Sequence, residues 1–150
     1  MPQSSERQIE NLLSSYAHFI DTGQLEQAAE LFNRATLENP LGTFDSKGIL
    51  QVWRDWMVLY PDGTPRTKHV TTNTIIDVNE SADFATSQCY YTVFQQTDDF
   101  PLQPICAGYY QDQFQREEGN WFFTRRHDFL QMIGDLSRHG QESMRERLGI

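Results

Sequence analysis

Residues 105–131 read ICAGYYQDQFQREEGNWFFTRRHDFLQ and contain the strongest long-range signal in the chain. Aromatic and polar residues alternate on both sides of Glu117-Glu118-Gly119-Asn120, which predicts two long strands joined by a tight turn. With Arg116 opposite Trp121, the expected cross-strand partners are Phe114 with Phe123, Asp112 with Arg125, Tyr110 with His127 and Gly108 with Phe129. One face then carries Tyr110, Asp112, Phe114, Trp121, Phe123, Arg125 and His127. Large apolar groups mixed with an acid, a guanidinium and an imidazole suit a pocket better than a dry core. The other face sets Tyr109 and Phe122 beside Gln111, Gln113 and Arg126, and exposed aromatics of this kind commonly belong to an interface.

Upstream, Ile9, Leu12, Leu13, Tyr16, Phe19 and Ile20 recur at helical spacing, predicting a helix over 4–21 with Ser4 or Ser5 as N-cap. Asp21-Thr22-Gly23 should end it, and a second helix over 25–32 makes a helical hairpin. A short strand over 35–40 and a loop over 41–44 precede a third helix, capped by Asp45 or Ser46 and running to about residue 60. Its stripe of Ile49, Leu50, Trp53, Trp56, Met57 and Tyr60 is explained by packing on a sheet, or by Trp53 and Met57 lining a cavity mouth. After the Pro- and Gly-punctuated turn 61–65 come β-rich runs over 66–78 and 84–96. Helices followed by antiparallel strands indicate an α+β domain over 1–133. The remaining 134–150 read as a tail with at most one short helix.

The 150 residues suffice for one core, and the 13% aromatic content makes that core rich in Phe, Tyr and Trp. A net charge of −9 disfavours a nucleic-acid partner, which requires a basic face. No window resembles a membrane span or a signal peptide, so the expectation is a soluble, cytoplasmic protein. Cys89 and Cys106 belong to no ligand-like spacing and read as two buried free thiols. No motif supports a P-loop, a serine nucleophile or zinc hydrolysis, and neither metal nor cofactor is expected.

Two residues have chemistry to explain. Asp21 falls in the last turn of a helix, where the macrodipole disfavours a carboxylate. Either it starts an Asp-Thr-Gly turn by bonding local backbone, or it points between helix and sheet and orients an imidazole. His69 is the candidate imidazole, on the polar face of its strand with Thr71 and Asn73. Tyr110, Asp112, Arg125 and His127 are expected to converge on the same cavity. Asp112 with Arg125 is better explained as a structural pair joining neighbouring strands than as catalytic groups, although if buried it could fix the floor of a pocket and bind a polar substrate group. His18 should face solvent, and His139 lies in the tail.

YAHFIDTGQLEQAAELF, KHVTTNTIIDV and AGYYQDQFQREEGNWFFTRR together resemble the opening hairpin, first long strand and final hairpin of SnoaL-like proteins of the nuclear transport factor 2-like (cystatin-like) superfamily. The resemblance implies a cone in which a highly curved antiparallel sheet wraps three N-terminal helices, commonly as a homodimer through the outer sheet face. Asp21 and His69 match the positions of the Asp and His of scytalone dehydratase. Ile20 stands where that family has Tyr, and its second catalytic His has no counterpart unless His127 supplies it. The implied function is a cofactor-free lyase or isomerase, of dehydratase or polyketide-cyclase type, acting on a small carbonyl compound. His69, held by Asp21, would remove a proton beside the carbonyl, while Tyr110, Asn73 or a water stabilises the enolate. Tyr16, Trp53, Met57, Asn73, Asp112, Phe114, Phe123 and Arg125 would bind the substrate. The alternative is a non-catalytic ligand-binding or scaffold module, like the small subunit of ring-hydroxylating dioxygenases.

Overall fold

The computed structural model describes residues 2–150. Helix α1 (Ser5–Asp21) begins at the Ser4 cap, whose hydroxyl accepts from the Arg7 amide at 3.2 Å. It is followed by α2 (Leu25–Glu30), the short strands β1 (Thr36–Asn39) and β2 (Gly42–Phe44), and α3 (Ser46–Trp56). Four long strands come next: β3 (Thr67–Asn79), β4 (Phe84–Thr97), β5 (Phe100–Glu117) and β6 (Asn120–Ile133). Helix α4 (Glu142–Leu148) closes the chain. The architecture is the expected α+β one, with a curved sheet in the order β2-β1-β6-β5-β4-β3.

Two local expectations change at the β1–β2 edge of the sheet, and α3 ends at Trp56 rather than near residue 60. The sheet is mixed, because β1 runs parallel to β6, with Leu37 opposite Arg126 and Glu38 opposite His127. Residues 42–44, expected as loop, form β2 because the chain turns back on β1 with Gly42 opposite Asn39. This small hairpin covers the edge that β6 would otherwise expose.

The β5–β6 hairpin turns through Glu118 (φ 51°) and Gly119 (φ 81°), the two positive φ values that a tight type I′ connection needs. Arg116 with Trp121 and Phe114 with Phe123 pair as expected. Beyond them β6 contains one extra residue at Thr124, so Gln113 meets Arg125 and Asp112 meets Arg126. A one-residue bulge exchanges the faces of everything downstream. Arg126 therefore enters the core and Arg125 leaves it, to bond Glu38 at 2.8 Å. His127 likewise moves outward, stacked on Phe129 with ring centroids 3.7 Å apart, and Asp128 takes the place opposite Tyr110. A second bulge, between Thr72 and Ile75 of β3, puts Asn73 in the left-handed region at φ 55° and in solvent.

The core forms where Ile9, Leu13, Tyr16 and Ile20 of α1 meet Phe32 of the turn after α2, Ile49 and Trp53 of α3, and Phe114 and Phe123 of the sheet. Inside it lies an ion pair. Asp112 accepts from Arg126 Nε at 2.8 Å and from Nη2 at 3.0 Å, with side-chain exposures of 0% and 3%. The guanidinium faces the rings of Tyr110, Tyr16, Phe123 and Phe32 at 3.7–5.4 Å. Burial opposes its charge, but Asp112 more than offsets this and moves its pKa further up.

Residues 134–150 pack against the body. The Val58 amide donates to the His139 carbonyl at 2.8 Å, and the Gln141 amide to the Trp56 carbonyl at 2.7 Å. Leu136, His139 and Met144 are buried. No helix among the described residues is long and apolar enough to cross a membrane.

The ion pair should respond asymmetrically to substitution. Asp112→Ala leaves a buried, unpaired guanidinium and is expected to cost about 3–5 kcal/mol in urea unfolding. The double change Asp112→Leu with Arg126→Met should cost clearly less, and equal losses would contradict the pairing.

Candidate functional site

The site begins at the last residue of α1. Asp21 would suffer from the negative end of the helix, yet three donors from the start of β3 converge on it. Thr67 Oγ1 donates to Oδ1 at 2.8 Å, and the His69 amide donates to Oδ2 at 2.7 Å. His69 Nδ1 lies 2.6 Å from Oδ1. Burial pushes the Asp21 carboxyl up, but the His69 and Thr67 contacts outweigh this and hold it below its ordinary value. Thr67 and His69 share a face because strand side chains alternate. Gly23 (φ 76°) lets the turn after α1 sit against the loop preceding β3, where a Cβ would lie 2.0 Å from the Gly63 carbonyl oxygen. Helix and strand are thus locked at the point where Asp21 meets His69.

With Nδ1 directed at a carboxylate, the neutral imidazole has its proton there and its lone pair on Nε2. His69 also lines a cavity of about 130 Å³ between α1, α3, the sheet and the C-terminal segment. An apolar cavity of ~150 Å³ accommodates one benzene ring, so a single-ring molecule matches the space.

Of the residues singled out from sequence, Tyr16, Trp53, Met57, His69 and Tyr110 line this cavity, with Asp21 behind His69. Phe114 and Phe123 do not line it; they are fully buried beneath the helices. Asp112 is occupied by Arg126. Asn73, Arg125 and His127 are excluded by the two bulges, which turn them away from the concave side. Cys89 is buried and Cys106 partly so, both as free thiols with pKa values pushed up by burial to about 11 and about 12. No group of three or more His, Cys, Asp or Glu capable of holding a metal occurs among the described residues.

Of the lining residues not singled out from sequence, three bear directly on the chemistry. Tyr91 was legible in the alternation Cys89, Tyr91, Val93 of β4, all buried on one face. Asp128 was not, because its orientation depends on the bulge at Thr124. His139 was set aside as part of a tail, but it lines the cavity, edge-on to Trp56 at 5.9 Å between centroids. Gly140 permits this approach, since a Cβ there would lie 2.5 Å from the Trp56 ring. The His139 Nδ1 has no hydrogen-bond partner among the described residues. Burial, with a smaller push from His69, lowers its pKa from 6.5 to about 3. At neutral pH it is an uncharged polar group facing the cavity.

A SnoaL-like domain model matches residues 3–127. No match is found among functionally curated proteins. Among solved structures, a cystatin-like-fold protein of unknown function from Nostoc punctiforme is similar at 20% identity and TM-score 0.70, over 87% of this chain and 96% of that one. A candidate scytalone dehydratase from Novosphingobium aromaticivorans is similar at 21% identity and TM-score 0.66, over 87% and 86%. The β subunit of a candidate aromatic-ring-hydroxylating dioxygenase from the same organism is similar at 21% identity and TM-score 0.63, over 83% and 88%. At these identities the likeness is one of fold.

The buried imidazole has a stability consequence. Between pH 6.5 and about 3 the unfolded chain binds a proton at His139 that the folded chain refuses. Unfolding free energy therefore falls as pH drops through this window, by at most about 1.4 kcal/mol per pH unit. In urea titrations from pH 7 to pH 4, His139→Phe should show a shallower decline than wild type; parallel curves would contradict it.

Proposed function

Because the chain belongs to the SnoaL-like domain family, whose fold hosts unrelated activities, we propose from the site itself that it is an acid/base lyase or isomerase for a small carbonyl compound. The observation that carries this is the 2.6 Å contact between Asp21 and His69 Nδ1. Asp21 orients the ring and stabilises the imidazolium that forms when Nε2 takes a proton from the carbon beside a carbonyl. Tyr110 is buried in the same cavity, and burial raises its hydroxyl pKa well above the usual value. It remains a hydrogen-bond donor, suited to the developing enolate oxygen. The aromatic walls supplied by Tyr16 and Trp53 complement a ring.

A second reading concerns the convex face. Tyr109 stacks on Phe129 with centroids 4.5 Å apart, beside Tyr90 at 52% and Ile75 at 63% exposure. Such a patch fits a homodimer or a scaffold subunit, and sedimentation as a monomer at high concentration would count against it.

The catalytic reading is tested without knowing the natural substrate. Wild type should speed deuterium incorporation at the α-carbon of cyclohexanone in D₂O, followed by proton NMR. His69→Ala should lose roughly 10²–10⁴-fold of that enhancement, as expected for a general base, while retaining its circular dichroism. Asp21→Asn should also lose exchange. Undiminished exchange by His69→Ala would overturn the assignment.

A further inference from the structure

The cavity contains a second carboxylate that the base chemistry leaves without a role. Asp128 lies on β6 opposite Tyr110, and its Oδ1 accepts from the Tyr91 hydroxyl at 2.6 Å. Tyr91 is fixed by stacking on Tyr110, with centroids 4.4 Å apart and planes inclined by 19°. Gly108, the cross-strand partner of Tyr91, leaves room for this contact. A Cβ at Gly108 would lie 2.0 Å from the Phe129 carbonyl oxygen and 2.8 Å from the Tyr91 hydroxyl oxygen. The glycine thus brings the β4 tyrosine against the β6 acid.

The buried or half-buried carboxylates of the interior differ in their partners. Asp21 has three donors, and Asp112 has a two-pronged guanidinium. Asp128 has one, at Oδ1, and among the described residues no protein group donates to Oδ2. Since Tyr91 occupies Oδ1 as a donor, a proton on this carboxyl belongs on Oδ2. Both Asp128 and His69 line the cavity.

We propose that Asp128 is a catalytic residue: the general acid of a dehydration, protonating a hydroxyl that leaves from the carbon β to the carbonyl while His69 removes the α-proton. The inference rests on the acid/base reading of His69 given above. The substrate class is then narrowed to single-ring β-hydroxy carbonyl compounds, within the limit set by the cavity of about 130 Å³.

The step balances without a redox partner. The α C–H bond breaks as its proton passes to His69 Nε2, and its electron pair becomes the new C=C bond. The β C–O bond breaks with its pair on oxygen, which takes the Asp128 proton and departs as water. The imidazolium returns a proton to the Asp128 carboxylate through solvent. Burial favours the required starting form, moving the Asp128 carboxyl above its ordinary value despite the opposing pull of Tyr91, Arg126 and His69.

The test uses two probes that separate the arms. Cyclohexanone, which has no leaving group, reports only α-proton exchange; 3-hydroxycyclohexanone reports elimination, read as the ultraviolet absorbance of cyclohex-2-enone. Asp128→Asn is expected to lose far more elimination than cyclohexanone exchange, and a retained circular dichroism spectrum shows that the variant folds. Its elimination should fall by roughly 10²-fold or more. His69→Ala should lose both reactions. If wild type exchanges cyclohexanone but eliminates no water, or if Asp128→Asn eliminates as fast as wild type, the role of Asp128 is overturned while the base survives. Equal losses of exchange and elimination in Asp128→Asn would also overturn it, as a structural effect. A wild type that exchanges no faster than buffer overturns the base and the acid together.

Discussion

A guanidinium sealed among four aromatic rings is stable only if a carboxylate reaches it, and the Asp112–Arg126 pair meets that condition across neighbouring strands. Removing water from both charges is costly, and the mutual attraction offsets that cost only in good geometry. The two hydrogen bonds at 2.8 and 3.0 Å supply it, and they exist in one register of β5 against β6 alone. A slip by one residue would bury Arg125 and expose Arg126. The pair therefore selects the bulge at Thr124, and the bulge determines which β6 side chains reach the concave side.

The cavity inherits its chemistry from that register. The same inversion that brings Arg126 inward brings Asp128 to the place opposite Tyr110 and sends His127 out beside Glu38. From the other side, α1 delivers Asp21 to the first residues of β3, and the C-terminal segment adds His139. Three regions distant in the chain thus supply an oriented imidazole, a carboxyl with one free oxygen and a neutral ring. Surroundings separate the two carboxyls: the donors on Asp21 hold its pKa below the ordinary value, whereas burial moves that of Asp128 above it.

Local packing at glycines makes the assembly possible. Gly23 admits the loop before β3, Gly108 admits the Tyr91 hydroxyl and Gly140 admits the Trp56 ring. In each case the missing side chain leaves space where two segments remote in sequence approach each other.

Helical periodicity and strand alternation suffice for α1, the succession of three helices and four long strands, the turn at Glu118-Gly119 and the α+β class, because these depend on neighbours within a few residues. Asp21 and His69 are likewise legible, one as a carboxylate misplaced at a helix end and the other as an imidazole on a polar strand face. The faces of β6 beyond Phe123 and of β3 beyond Thr72 are not, because a bulge inserts one residue without any mark in the alternating pattern. Asp112 pairing with Arg126 rather than Arg125, the exclusion of Asn73 and His127, and the entry of Asp128 all follow from that. His139 escaped for a different reason. Its burial comes from contacts with α3 and the residues just after it, and tertiary packing alone brings those segments together.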